Sequence, residues 1–275
     1  MASFGITRVV VACDAAGEIA PAIEAGSRLA AHWRARLHVV FVQDPTLRLL
    51  AIHPQVRHVS LASPAAGSVE ADLEHIFLAM AQRAQAILAE QASRHGLDWS
   101  FAVVSEGLST IAFGMGENDL LVVEGTTRPF AGQMRLRSCF SSLALAAALP
   151  VLMIRPRDHS RRIVVAIFGP NSAGLRKTLA AAGDMAAAAS GPLLVLAGPK
   201  APSPGAIRDI MAAGGHLPEA SVRIEAIVGA SALRNAHGRH LKGALLVLDA
   251  TSQPTELGDL EQLASEADCD VLLVR

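Results

Sequence analysis

The feature that most restricts the fold of this chain is a set of short apolar runs that occurs twice in the same order. Arg162-Ile163-Val164-Val165-Ala166 echoes Arg8-Val9-Val10-Val11-Ala12, and Ala244-Leu245-Leu246-Val247-Leu248 echoes Asp119-Leu120-Leu121-Val122-Val123. The last run, Asp270-Val271-Leu272-Leu273-Val274-Arg275, echoes Pro150-Val151-Leu152-Met153-Ile154-Arg155. Such runs, bounded by turn residues and alternating with longer stretches of helical spacing, are the signature of βαβ units around a parallel sheet. In the first half the predicted strands are Arg8–Cys13, Leu37–Val42, Phe101–Val104, Asp119–Val123 and Pro150–Ile154. Between them, Ile19, Ile23, Gly26, Ala30 and Trp33 share one helical face. Leu73, Phe77, Met80, Ala84, Ile87 and Gln91 trace a second stripe, with Ser68 as its expected cap and Gly96 as its stop after Arg94 and His95.

The 275 residues therefore read as α/β, with two tandem five-stranded, Rossmann-like parallel-sheet domains, residues 1–156 and 157–275, the second shorter. The boundary is expected in the polar run Pro156–Arg161. The residues that the later copy lacks are expected in a long loop, Pro45–Asp72, where Pro45, Pro54, Pro64 and Gly67 punctuate the chain.

Composition removes several function classes. Hydrophobic residues make up 51% and charged residues 18%, which is ample for packed cores and excludes a disordered chain. A formal net charge of −1, with 4% aromatic residues and no Tyr, argues against a nucleic-acid groove. Cys13, Cys139 and Cys269 are odd in number and far apart, giving neither a disulfide framework nor a zinc spacing; a reducing cytoplasm fits. The apolar run after Arg8 is too short for a signal peptide. The stretch Leu143 to Ile154, broken by Pro150, falls short of the roughly 20 residues that cross a bilayer. Neither export nor a membrane partner is expected.

In parallel α/β sheets ligands sit outside the carboxyl ends of the strands, where helix N-termini attract anions. Asp14 ends the first strand as a hydrogen-bond acceptor for a ribose or an amine; equally, it serves as a turn residue before the first helix. The fourth strand runs into Glu124-Gly125-Thr126-Thr127-Arg128, then through Gly132 and Arg135-Leu136-Arg137-Ser138 toward the last apolar helix. Gly125 permits close approach of the backbone, Ser138 offers a hydroxyl, and Arg128, Arg135 and Arg137 are charge-assisted donors to phosphate. The same arginines also fit a solvated basic loop. Cys139, beside Arg137 at the expected start of that helix, is either a redox-sensitive thiolate or a buried inert thiol. Of ten histidines, His53 with His58 and His237 with His240 are the nearest pairs, without a third ligand close in sequence, so no metal is expected. No Gly-x-Ser-x-Gly elbow, dinucleotide fingerprint or assembled acid pair is present, and no catalytic residue is assigned.

On these residues the chain resembles the universal stress proteins, as a tandem-repeat member. The resemblance implies five-stranded parallel α/β domains and, in members that bind ATP, an Asp closing the first strand followed by a Gly-x-x-Gly, nine-residue spacer, Gly-Ser/Thr motif after the fourth. It implies that Asp14 contacts base and ribose, Val42 lies beside the base, Gly125 is the first motif glycine and Ser138 contacts phosphate. Arg128 stands where the second glycine belongs and Arg137 where the third belongs, so the motif is degenerate, and close passage of a phosphate past these positions is sterically costly. The later copy has no acid in Ile167-Phe168-Gly169-Pro170 and no glycine loop in Asp249-Ala250-Thr251-Ser252-Gln253-Pro254; no nucleotide is expected there. The resemblance further implies pairing through the last strands, either between the two repeats or in a homodimer. The expected function is a non-enzymatic stress-response protein that acts by partner binding or oligomerisation, with an unidentified protein partner and at most weak nucleotide binding in the first domain. The alternative is an ATP-responsive switch that binds an adenine nucleotide there.

Overall fold

Strands that must be covered on both faces need apolar side chains at consecutive positions, and the repeated runs supply them. The computed structural model describes residues 4–15, 18–43, 69–105, 108–125, 149–155, 163–167, 173–198, 200–214, 222–226, 241–250 and 269–274. Its first half consists of β1 (Arg8–Asp14), α1 (Ile19–Trp33), β2 (Arg36–Val42), α2 (Val69–His95), β3 (Trp99–Val104), α3 (Leu108–Phe113), β4 (Asp119–Glu124) and β5 (Val151–Ile154). The second half consists of β6 (Ile163–Ile167), α4 (Ala173–Ala189), β7 (Leu193–Ala197), α5 (Pro204–Gly214), β8 (Val222–Ala226), β9 (Leu245–Asp249) and β10 (Asp270–Val274).

The ten strands among the described residues join one sheet, in the order β3-β2-β1-β4-β5-β10-β9-β6-β7-β8. Neighbours run parallel except at the centre, where β5 and β10 are antiparallel, with Met153 opposite Val271, Leu152 opposite Leu272 and Val151 opposite Leu273. Read outward from this seam, each half has the same strand sequence, so a pseudo-twofold axis passes between β5 and β10. Strands β4, β6, β7 and β10 are buried along their whole length, whereas the edge strands β3 and β8 carry exposed positions. Among the described residues, no helix is long and apolar enough to cross a membrane.

Two local devices fix the site-bearing half. Arg8 and Asp119 are register partners at the start of β1 and β4 and form an ion pair, with Arg8 Nε donating to Asp119 Oδ1 at 3.1 Å. Gly26 brings α1 close to β1: a Cβ at that position would lie 2.3 Å from Cγ2 of Val11. That spacing explains the glycine on the otherwise apolar face of α1.

One expectation needs correction. The segment Pro45–Asp72 is not loop throughout, because α2 already includes Val69–Asp72. Val69-Glu70-Ala71-Asp72 contains no breaker, and its acidic residues suit the first turn of a helix. Residues 44–68 lie outside the described residues. The extra length of the first half is shared with the helix itself, which has 27 residues in α2 against 11 in α5.

Candidate functional site

The carboxyl ends of β1, β2 and β4 form the edge at which the sequence places its candidate site. The parallel register sets Asp14 opposite Val42, which is buried at 7% exposure. Gly125 follows β4 directly and donates its N–H to the Ile154 carbonyl at 2.6 Å. A Cβ on Gly125 would come within 2.9 Å of Met153 Cγ and 3.0 Å of its Sδ. The packing of β4 against β5 thus favours glycine here, because any side chain would have to displace Met153.

The residue at this edge that sequence reasoning missed is Glu124. It extends β4 by one residue beyond the predicted Val123 end and is buried at 4% exposure. Its Oε1 accepts the backbone N–H of Glu18 at 2.9 Å. Glu18 is the N-cap of α1 and makes no capping bond with its own side chain, so the Glu124 carboxylate takes over that task from another element. Burial pushes the Glu124 carboxyl up to about 7, the Glu18 amide pulls it down, and the neighbouring Asp14 and Glu18 push it up further. The available signal was an acid closing the run Leu120-Leu121-Val122-Val123, where a strand buried on both faces leaves little water for a carboxylate.

Among the described residues this edge is acidic, with Asp14, Glu18 and Glu124 around the N-terminus of α1. An anion such as a triphosphate would, among the described residues, meet these acids, and the amide of Glu18 that a phosphate could use is already bonded. Below it, Cys13 is buried, its Sγ donating to the Val40 carbonyl at 3.7 Å. Burial and the nearby acids push its thiol up to about 12, which leaves it protonated and inert at neutral pH.

Of the sequence-derived site residues, Asp14, Val42 and Gly125 come together at this edge. Arg128, Gly132, Arg135, Arg137, Ser138 and Cys139 lie outside the described residues, as do His53, His58, His237 and His240. Among the described residues, no group of three or more side chains is arranged to hold a metal ion. At the counterpart position of the second half, β9 ends at Asp249, and Ala250 donates to the Val274 carbonyl at 2.8 Å. This bond repeats that of Gly125 with an alanine in place of the glycine. Residues 168–170 and 251–254 are outside the described residues.

No protein-family model and no curated protein matches the sequence. Solved structures do match the fold. A putative universal stress protein from Pseudomonas aeruginosa UCBPP-PA14 matches with a TM-score of 0.57 at 18% identity, over 98% of this chain and 93% of its own. A universal stress protein from Archaeoglobus fulgidus DSM 4304 matches with a TM-score of 0.59 at 10% identity, over 98% of this chain and 97% of its own. The cytoplasmic domain of a prokaryotic cation chloride cotransporter matches with a TM-score of 0.54, also at 10% identity, over 98% of this chain and 95% of its own. At such identities the likeness is one of fold, a mostly parallel α/β sheet of Rossmann type, and a fold of this kind carries many functions.

Proposed function

We propose that this chain is a tandem universal stress protein that acts in a stress response through partner binding or self-association, with at most weak nucleotide binding in its first half. The observation that carries this reading is the Glu124 carboxylate on the Glu18 amide. It occupies an anion-attracting group with a carboxyl of the protein's own, beside two further acids. The reading is supported on the family side by the match in fold over 98% of the chain to universal stress proteins. No enzymatic step is part of it.

Self-association in this reading occurs inside one chain. The pairing of the last strands of the two halves, β5 with β10, supports association between the repeats of one chain.

The second reading, a switch in which ATP orders the segment from Gly125 to Ser138, is favoured by Asp14 lying beside Val42 at the open end of the strands. Calorimetry and a thermal-shift titration of the full chain with ATP and magnesium separate the two. A ligand that binds only the native state raises the melting temperature as its concentration passes its Kd. The first reading predicts no shift through millimolar ATP. A saturable shift at micromolar ATP, lost on Asp14→Ala, would overturn it in favour of the switch.

A further inference from the structure

Away from the acidic edge, a cavity of about 330 Å³ opens at the junction of the two halves. Its floor is the seam region of the sheet, Leu152 and Ile154 of β5 with Leu245 of β9 and Ile163 of β6, and its walls are α1 and α4. The helices explain its position. Among the described residues, α1 packs mainly on β1 and α4 mainly on β6 and β9, and each reaches the seam strands β5 and β10 only at its margin. Small residues on the facing helices, Ala25 on α1 with Ala188 and Ala189 on α4, leave the space unfilled.

The pseudo-twofold axis generates a counterpart position, reached by the offset that aligns Arg8 with Arg162. There Ala25 corresponds to Leu179 and Ile163 to Val9. The segment entering β1 bridges α1 and α4: Phe4 packs on Trp33 with ring centroids 6.0 Å apart, and its N–H donates to Asp184 Oδ2 of α4 at 2.8 Å. Ile6 in the same segment is buried.

Two polar residues line the open cavity. The Asp270 carboxylate is buried and accepts the Arg155 N–H at 2.8 Å. Arg28 stands at the mouth, and among the described residues its guanidinium makes no hydrogen bond or ion pair. It feels Asp270 and Glu24 only through space, and partial removal from water lowers its pKa. A guanidinium offers five N–H donors in a planar fork that matches a carboxylate.

We propose that this cavity binds a small apolar molecule bearing one carboxylate, with its hydrocarbon body on Leu152, Ile154, Leu245 and Met185 and its carboxylate on Arg28. The volume is at the small end of the range for ligand pockets, and an apolar lining with few polar groups is their usual make-up. A single negative charge suits the mouth better than a phosphate dianion, because Glu24 and Asp270 flank Arg28, the one cation among the described lining residues.

The test uses the full chain and three eight-carbon probes, octanoate, octan-1-ol and octylammonium, titrated calorimetrically below their micelle concentrations. Octanoate should bind saturably and more tightly than the other two. Arg28→Gln, at an exposed position, should weaken octanoate roughly tenfold or more, the worth of a charge-assisted hydrogen bond, and leave octan-1-ol unchanged. Ala189→Phe, which fills the cavity, should abolish binding of all three, with urea midpoints checking that both variants remain folded. Equal octanoate affinity in wild type and Arg28→Gln overturns the proposal. So does binding that survives Ala189→Phe, tighter binding of octylammonium, or no octanoate binding at millimolar concentration. If a variant fails to unfold cooperatively, octanoate protection of amide exchange in α1 and α4 of the wild type decides instead: protection supports the site and its absence overturns it. None of these outcomes depends on whether the first half binds ATP.

Discussion

At the scale of single residues, the decisive group is the carboxyl of Glu124. Its folded-state value of about 7 lies above the 4.5 of an unperturbed Glu, so across that interval the folded chain holds a proton that the unfolded chain has released. The contribution to stability is present below about 4.5 and is lost as pH rises toward about 7, with a slope of at most about 1.4 kcal/mol per pH unit. Glu124→Gln keeps an acceptor for the Glu18 amide and removes the charge. Urea unfolding of that variant should lack this slope and show a gain on the order of 1–3 kcal/mol at pH 8 relative to wild type. An unchanged pH profile would mean that the carboxyl is not held in its buried setting. Asp14 and Gly125 were legible as site candidates because they follow apolar runs at turns. Glu124 was not, because an acid at the same place reads equally well as the first residue of a solvated loop until the hydrogen bond from a helix 106 positions away in sequence is seen.

At the scale of elements, legibility followed burial. The continuous runs that became β1, β4, β5, β6, β9 and β10 were plain in the sequence, since strands covered on both faces need apolar residues at every position. β7 and β8 gave less. The edge strand Val222-Arg223-Ile224-Glu225-Ala226 alternates apolar with charged residues over only five positions, and α4 is so rich in alanine that its faces differ little in hydrophobicity. In α1, by contrast, the sequence stripe gave the buried face directly, Gly26 included. Because a Cβ there would lie 2.3 Å from Val11, Gly26→Ala should force α1 away from β1. The expected loss is about 1–3 kcal/mol despite alanine's better helix propensity. Chemical denaturation reads this directly, and a variant as stable as wild type would mean that the helix sits less tightly on the sheet.

At the scale of the whole molecule, the twice-written order of runs gave the strand sets, and only the family resemblance offered their joining through the last strands, as one of two alternatives. The join depends on the antiparallel register of β5 and β10 and on Asp270, whose side chain takes the Arg155 amide just past the end of β5. Neither partner is near the other in sequence, and apolar strands alone do not state which edges meet. The seam gives the molecule both of its proposed properties: it pairs the last strands within one chain, and it leaves the cavity between α1 and α4. The most direct measurement of this arrangement is a cross-strand nuclear Overhauser effect between Leu152 and Leu272, recorded on isotopically labelled chain diluted into a large excess of unlabelled chain. A seam closed within one chain predicts that the effect keeps its full intensity on dilution. Its disappearance on dilution would show that the two strands come from different molecules and would contradict the account.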